Sequence, residues 1–295
     1  MMRQKDSYRN VERMHDYSSL FSYASWSKTL NEGCPSDIIS VYQKYDEVDA
    51  REEIPTFLCY LESVYRCLLR NYRNEYIYKN ELLSKLILKL FGKTTSVAVN
   101  EFRVGDSVAD LALFNGESKC FEIKSELDSP QRLSSQLECY QKVFEQCYIM
   151  VPIDMVATYR RLVDDRVGII TLRYCRNGQV SVRVEQPAMI NESVDVDVLM
   201  RSVRASEYRW MIKRAYGKLP DVSDFDMYEV CKEQLRCLSS EELHRLFKDA
   251  IKMRSSKVSL LKGVMPIFRQ MSLSMNLSSG KILKMNELYN HKMLQ

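Results

Sequence analysis

The feature that most restricts the fold of this chain is a pair of short apolar runs separated by a tight-turn dipeptide. Residues 108–114 (VADLALF) and 119–125 (KCFEIKS) are strand-like in composition, and Asn115-Gly116 lies between them. An Asn-Gly dipeptide between two such runs is a strong indication of a β-hairpin. The sequence therefore predicts a sheet that contains this hairpin.

The spacing of apolar residues on either side predicts the remaining elements. Strand-like runs occupy 96–104, 147–151, 167–173 and 179–185. Helical spacing covers 18–30, 37–46, 55–72, 75–91, 129–145, 154–163, 194–216, 225–237 and 240–270, and the polar segment 272–283 is expected to be a loop. The predicted class is α/β or α+β, divided into a helical region 1–73, a sheet-containing core 74–190 and a helical region 191–295.

Composition narrows the chemistry that this chain can perform. Its nine cysteines include no CxxC pair, and its three histidines are scattered along the chain. A zinc site or a histidine-based catalytic triad is therefore not expected, and carboxylates, lysine, tyrosine or serine must carry any reaction. No apolar run approaches the roughly 20 residues that span a bilayer, and the N-terminus has no apolar signal stretch. We therefore expect a cytoplasmic protein without a membrane segment.

The hairpin carries three residues whose spacing suggests a reactive site. Glu122 and Lys124 point to the same side of their strand because side chains alternate. A two-residue loop would place Asp110 and Glu122 on opposite faces, whereas a three-residue loop or a bulge would place them side by side. Their Cβ atoms would then lie about 5 Å apart, close enough for both carboxylates to share a divalent ion. A site of this kind therefore requires the longer loop or a bulge.

Such a trio suits metal-assisted hydrolysis. Oxygen ligands from Asp110, Glu122 and the main-chain carbonyl of Ile123 would favour Mg²⁺ or Mn²⁺. The ion would activate water and stabilise charge on a phosphate, and Lys124 would position the water or stabilise the developing negative charge. The alternative is an ordinary exposed strand with a Glu/Lys pair and an unrelated Asp.

The order helix, three strands, helix, strand with D…ExK on the hairpin resembles the PD-(D/E)XK nuclease superfamily. Glu122-Ile123-Lys124 leads into a helix containing Gln136 and Tyr140, which is similar to the QxxxY motif of RecB-type members. The resemblance covers residues 74–173 and is strongest with poorly characterised bacterial and phage-borne members. The residue before Asp110 is Ala109 rather than the proline of the superfamily's name, and that proline is dispensable in many members.

The resemblance implies a restriction-endonuclease-like core and roles for further residues. An acid on the helix before the sheet would complete the site, either Glu75, in an Asn-Glu-Tyr segment, or Glu81, whose alternative is a surface pair with Lys85. Gln136 and Tyr140 would support the site, although packing of the helix is the alternative for both. Glu101 is a possible outlying contact.

Positive charge is concentrated at the C-terminal end. Residues 201–295 carry 18 Lys and Arg against 10 Asp and Glu, and residues 1–200 carry 25 against 29. Arg245, Lys248 and Lys252 fall on one helical stripe, and Arg132 lies one turn before Gln136. These four side chains are candidate contacts to nucleic-acid phosphates, and an ordinary solvated surface is the alternative.

The expected function is a metal-dependent nuclease acting on nucleic acid, with DNA favoured over RNA, in phage defence or a mobile element. The chain would act as a homodimer or with a partner protein in such a system. The alternative is a catalytically silent module of the same fold that binds nucleic acid or a partner.

Overall fold

The computed structural model describes residues 2–33, 35–47, 54–90, 96–175, 179–254 and 258–293. The chain forms two compact units. A helical unit comprises residues 1–84, 174–179 and 260–295, and a sheet unit comprises residues 85–173 and 180–259. In the described part of the chain, no helix has the length and apolar character that crossing a bilayer requires.

The N-terminal helices are those that the apolar spacing predicts, with one more before them. They are α1 (Met2–Ser19), α2 (Tyr23–Glu32), α3 (Ser36–Tyr45) and α4 (Phe57–Asn71). The helix predicted over 75–91 consists of α5 (Glu75–Glu81), a π-helical segment (Leu82–Ile87) and α6 (Leu88–Leu90), and residue 91 lies outside the described residues. The Thr56 and Asn74 side chains cap α4 and α5 by accepting hydrogen bonds from main-chain N–H groups.

The middle of the chain forms one six-stranded sheet with the strands in sequence order. Its elements are β1 (Val97–Val104), β2 (Ser107–Phe114), β3 (Ser118–Ile123), α7 (Leu133–Tyr140), β4 (Gln146–Pro152), a short 3₁₀ turn (Ile153–Met155), α8 (Val156–Arg160), β5 (Gly168–Tyr174) and β6 (Val180–Gln186). Strands β1 to β3 form an antiparallel meander, and β4 and β5 continue the sheet in parallel with β3. The mixed α/β class is thus confirmed.

The β2–β3 hairpin has the longer of the two loops considered from the sequence. Leu111 pairs with Phe121, and Phe114 pairs with Ser118, so three residues, 115–117, form the loop. Gly116 adopts a φ of 121°, a conformation open to glycine and costly for other residues. If this register is extended by one residue, Asp110 lies opposite Glu122. This is the arrangement that the predicted site requires.

The C-terminal third is helical but more interrupted than predicted. It contains α9 (Val196–Ser202), α10 (Ala205–Tyr216), α11 (Met227–Arg236), α12 (Ser240–Lys252), 3₁₀ segments (Val258–Gly263 and Pro266–Phe268), α13 (Arg269–Ser274) and α14 (Ser279–Leu288). The loop predicted over 272–283 is wrong, because α13 and α14 occupy most of it and the Ser278 side chain caps α14. The single helix predicted over 240–270 ends at Lys252.

Packing divides the C-terminal third between the two units, unlike the boundaries drawn from the sequence. Helices α9 to α12 share the core of the sheet unit, where the Phe247 ring contacts those of Phe102, Phe114 and Phe144. In the helical unit, Phe268 packs against Trp26 and stacks on Tyr289. Local periodicity identifies helices but does not indicate which distant segment covers their apolar face.

Candidate active site

Asp110, in the middle of β2, and Glu122, near the end of β3, lie on adjacent strands of the hairpin. Glu122 is buried, and Asp110, one residue before the part of β2 that pairs with β3, is partly exposed. Asp110 Oδ2 accepts a hydrogen bond of 2.7 Å from the main-chain N–H of Ile123. The Asp110 carboxylate is thereby fixed beside the strand that carries Glu122 and Lys124.

Lys124 lies just beyond β3 and is held on both sides. Its ammonium Nζ donates to Glu122 Oε1 at 2.8 Å and to Gln136 Oε1 at 3.2 Å. Its main-chain N–H donates to the Met150 carbonyl of β4 at 2.9 Å. Because the Lys124 side chain is almost fully buried, these contacts rather than solvent set the direction of its ammonium.

Tyr140 connects α7 to the same carboxylate. Its hydroxyl lies 2.8 Å from Glu122 Oε2 and 2.7 Å from the Val108 carbonyl, and its single proton can serve either acceptor. Burial, followed by the negative charge of Glu122, raises the pKa of Tyr140, so the hydroxyl remains a donor. Gln136 Nε2 is 3.5 Å from the same hydroxyl, as the i, i+4 spacing predicts.

A tight loop, which was not singled out in the sequence, follows Lys124 directly. The Asp128 carboxylate accepts hydrogen bonds from the main-chain N–H and the hydroxyl of Ser125, at 2.8 and 2.6 Å. Ser125 is buried, whereas Asp128 is exposed. A serine three residues before an aspartate is the available sequence signature of such a turn.

The backbone of β1 is unusual next to the site. Glu101 has a φ of 52°, in the left-handed region that non-glycine residues seldom adopt. Asn100 pairs with Leu111 and Phe102 with Ala109, so Glu101 occupies the register position facing Asp110. Strained backbone of this kind is found most often at functional sites.

The two candidate helix acids belong to the helical unit, whereas Asp110, Glu122 and Lys124 belong to the sheet unit. Glu75, at the start of α5, forms an ion pair with Lys79. Glu81 is buried and accepts a hydrogen bond of 2.7 Å from the Tyr65 hydroxyl. The alternative of an exposed Glu81 is therefore wrong, because the face of α5 that carries it is packed.

The four candidate phosphate contacts differ in their surroundings. Arg132, just before α7, and Arg245, on α12, are exposed. Lys248 donates to Glu145 at 2.7 Å with both side chains largely buried, and Lys252 lies 3.5 Å from Asp249. Burial would raise the pKa of Glu145, but the Lys248 ammonium and the Ser118 N–H outweigh it and hold the pKa below its ordinary value. Lys248 is thus held by a buried partner rather than presented to solvent.

The oxygen donors that the sequence assigns to a metal are the carboxylates of Asp110 and Glu122 and the main-chain carbonyl of Ile123. No group of three or more His, Cys, Asp or Glu side chains suited to a metal occurs among the described residues. Asp110 and Glu122 supply two acceptor side chains, and an ionised carboxylate oxygen can accept more than one bond. Such oxygen donors are those that Mg²⁺ and Mn²⁺ take, with water completing the coordination.

The family model described as Bacteriophage P4 protein cII matches residues 69–278. Protein cII of Enterobacteria phage P4 is 26% identical over 190 residues, which cover 64% of this chain and 59% of that protein. The chain therefore spans about three fifths of the length of this relative. A Silicibacter pomeroyi protein of unknown function aligns with 50% of this chain and 94% of its own length, at 12% identity and a TM-score of 0.32.

The matched region of the family model runs from the end of α4 to Ser278, just before α14, and includes the hairpin, α7 and every residue of the Asp110–Glu122–Lys124 site. It covers well over half of the chain. The chain therefore belongs to the bacteriophage P4 protein cII family.

Proposed function

We propose that this chain is a nuclease that hydrolyses phosphodiester bonds with Mg²⁺ or Mn²⁺, and that DNA is its substrate. The observation that carries the proposal is a continuous hydrogen-bonded network. Glu122 joins Lys124 and Tyr140, and Lys124 joins Gln136, while Asp110 is tied to the same strand through Ile123. A chance D…ExK spacing would not account for Lys124 and Tyr140 both being hydrogen-bonded to the buried Glu122 carboxylate.

The residues of the network have three kinds of role in this proposal. Asp110, Glu122 and the Ile123 carbonyl would hold the ion, which when bound supplies an activated water and neutralises charge on the phosphate. The Lys124 ammonium would contact the water or a phosphate oxygen. Gln136 and Tyr140 are positioning residues, because their hydrogen bonds fix Lys124 and Glu122 rather than reach substrate.

The order of elements supports a PD-(D/E)XK core. The elements follow one another as in the restriction-endonuclease-like fold: helix α5, the meander β1–β3, helix α7 and the parallel strand β4. The phage origin of the relative favours a mobile element over phage defence as the biological setting.

The test is a cleavage assay with single-stranded DNA, linear and supercoiled duplex DNA, and RNA, each with Mg²⁺, Mn²⁺ or EDTA. Asp110→Asn and Lys124→Ala should each lower the cleavage rate by at least 100-fold, on the order of the loss of one stabilising charge in a transition state. Glu138→Gln, an exposed change on the same helix as Gln136, and Lys142→Ala, an exposed lysine, are the matched controls.

Cleavage that needs metal, disappears in both site variants and survives in both controls supports the proposal. Metal-dependent cleavage that persists in the site variants contradicts it and indicates a contaminant. No cleavage with undiminished nucleic-acid binding would favour the silent binding module instead.

A further inference from the structure

The helical unit contains a small cleft that is separate from the Asp110 site. It has a volume of ≈ 340 Å³ and lies along the exposed side of α4, where its lining includes Ser63, Arg66, Cys67, Arg70, Asn71 and Tyr174. This volume is at the lower end of the roughly 300–1,000 Å³ found for ligand clefts. All of these residues belong to the helical unit.

Two arginines dominate the charge of this cleft. Arg66 and Arg70 are exposed and one helical turn apart, so their like charges repel. Among the described residues, no carboxylate lines the cleft. Neither Arg66 nor Arg70 forms an ion pair with any of those residues. The sequence between 63 and 74 contains three arginines and no acid. A bound polyanion would relieve this repulsion.

One of the two arginines, Arg70, is oriented by a neighbouring side chain. Arg70 Nε donates to the Tyr174 hydroxyl at 3.2 Å, which leaves the terminal nitrogens of its guanidinium to bind an anion. Arg70 lies in the last turn of α4, where the helix dipole favours a cation, but Arg66 lies a full turn earlier and gains little from it. The helix dipole therefore accounts for the position of Arg70 but not for that of Arg66.

We propose that Arg66 and Arg70 bind two phosphates of a nucleic-acid strand, with Tyr174 fixing the position of Arg70. Guanidinium groups bind phosphate oxygens through two parallel hydrogen bonds, and contacts of this kind position a strand without reading its sequence. The choice of nucleic acid among polyanions rests on the proposed nuclease function. The site itself needs no metal, so binding and cleavage can be measured separately.

The test is binding of fluorescent single-stranded DNA, duplex DNA and RNA to the full chain carrying Asp110→Asn, in EDTA, at several salt concentrations. Arg66→Gln with Arg70→Gln should weaken binding roughly 10- to 30-fold near 0.1 M salt, because two phosphate contacts are lost. The slope of log K against log salt should become shallower by about 1.4 for a single strand and about 1.8 for duplex.

Two matched variants make the result specific. Lys281→Gln with Lys284→Gln removes the same charge from exposed positions of the same unit and should leave affinity and slope within about twofold of the parent. Arg66→Lys with Arg70→Lys keeps the charge, so it should retain most of the slope while losing part of the affinity.

Equal weakening by the Lys281/Lys284 variant would overturn the site, as would an unchanged affinity in the arginine variant or no binding by the parent chain. Competition by heparin or a mononucleotide as effective as by the strands, at equal phosphate or sulfate concentration, would overturn the choice of nucleic acid. If the unsubstituted chain cleaves no substrate in the assay above but the arginine variants still weaken strand binding as expected, the nuclease function is rejected and the arginine binding site is retained.

Discussion

The candidate site depends on Glu122, because its two carboxylate oxygens are hydrogen-bonded to side chains from different parts of the chain. One oxygen faces Lys124 and the other faces the Tyr140 hydroxyl of α7. Buried carboxylates are costly unless each oxygen is hydrogen-bonded, so the Tyr140 hydroxyl contributes to stability as well as to geometry.

Replacing Tyr140 by Phe should therefore lower the free energy of unfolding by about 1–2 kcal/mol, since a buried acceptor loses its donor. Tyr159→Phe is the matched control. Its hydroxyl is buried and has no hydrogen-bond partner among the described residues, so its removal should be neutral or slightly stabilising. Urea unfolding followed by circular dichroism measures both. An equal loss in the two variants would show that removal of any buried hydroxyl, not loss of the Glu122 hydrogen bond, determines the effect.

At the scale of the element, the three-residue loop of the β2–β3 hairpin sets the register of the site. The three-residue loop sets the register in which Asp110 and Glu122 face the same side, and within it Gly116 adopts a φ of 121°. A side chain at Gly116 would meet no atom within 4 Å, so a substitution there tests backbone conformation alone.

Gly116→Ala should destabilise the sheet unit by about 1–3 kcal/mol because the alanine Cβ disfavours this backbone conformation. Gly280→Ala is the contrasting change. Gly280 lies in the first turn of α14 with open space around it, and alanine there should stabilise the chain by about 0.5–1 kcal/mol. Urea unfolding measures the change in the free energy of unfolding, which should be negative for Gly116→Ala and positive for Gly280→Ala. A stable Gly116→Ala protein would mean that the loop relaxes to another turn, and its Asp110–Glu122 register should then be examined directly.

At the scale of the whole molecule, the C-terminal end of the chain is part of the same unit as the N-terminal helices. Phe268 is fully buried, its ring centroid lies 5.0 Å from that of Trp26, and it stacks on Tyr289 at 5.3 Å. Asn80 Nδ2 donates to the Pro266 carbonyl at 2.9 Å. The helical unit is therefore assembled from segments almost 200 residues apart.

Phe268→Ala should cost about 3–5 kcal/mol, because it leaves a cavity among aromatic side chains. Hydrogen exchange measured by mass spectrometry should show faster exchange in α2, α4 and α5 and unchanged protection in β2 to β4. Phe225→Ala, at a side chain that is 93% exposed, is the control and should change neither region. Faster exchange spread evenly over both units would contradict their separation into two cores.

Much of the fold could be read from the sequence because the responsible interactions are local. The Asn-Gly turn, the alternation within short strands and the apolar stripe of α4 predicted their elements, and Gln136 and Tyr140 share a helix face by spacing alone. Errors occurred where local pattern is weak. The polar segment at 272–283 is helical because Ser278 caps α14 and because Ile282 and Met285 are buried.

By itself, the sequence determined which residue types could form a reactive site and on which strands they lie, since side-chain alternation and helical spacing are properties of the backbone. Only the tertiary structure decided between the two hairpin registers, directed Tyr140 to Glu122, buried Glu81 against Tyr65 and divided the C-terminal third between two cores. These outcomes depend on contacts between residues distant in the chain, whose energies arise from packing and desolvation and leave no periodic trace in the sequence.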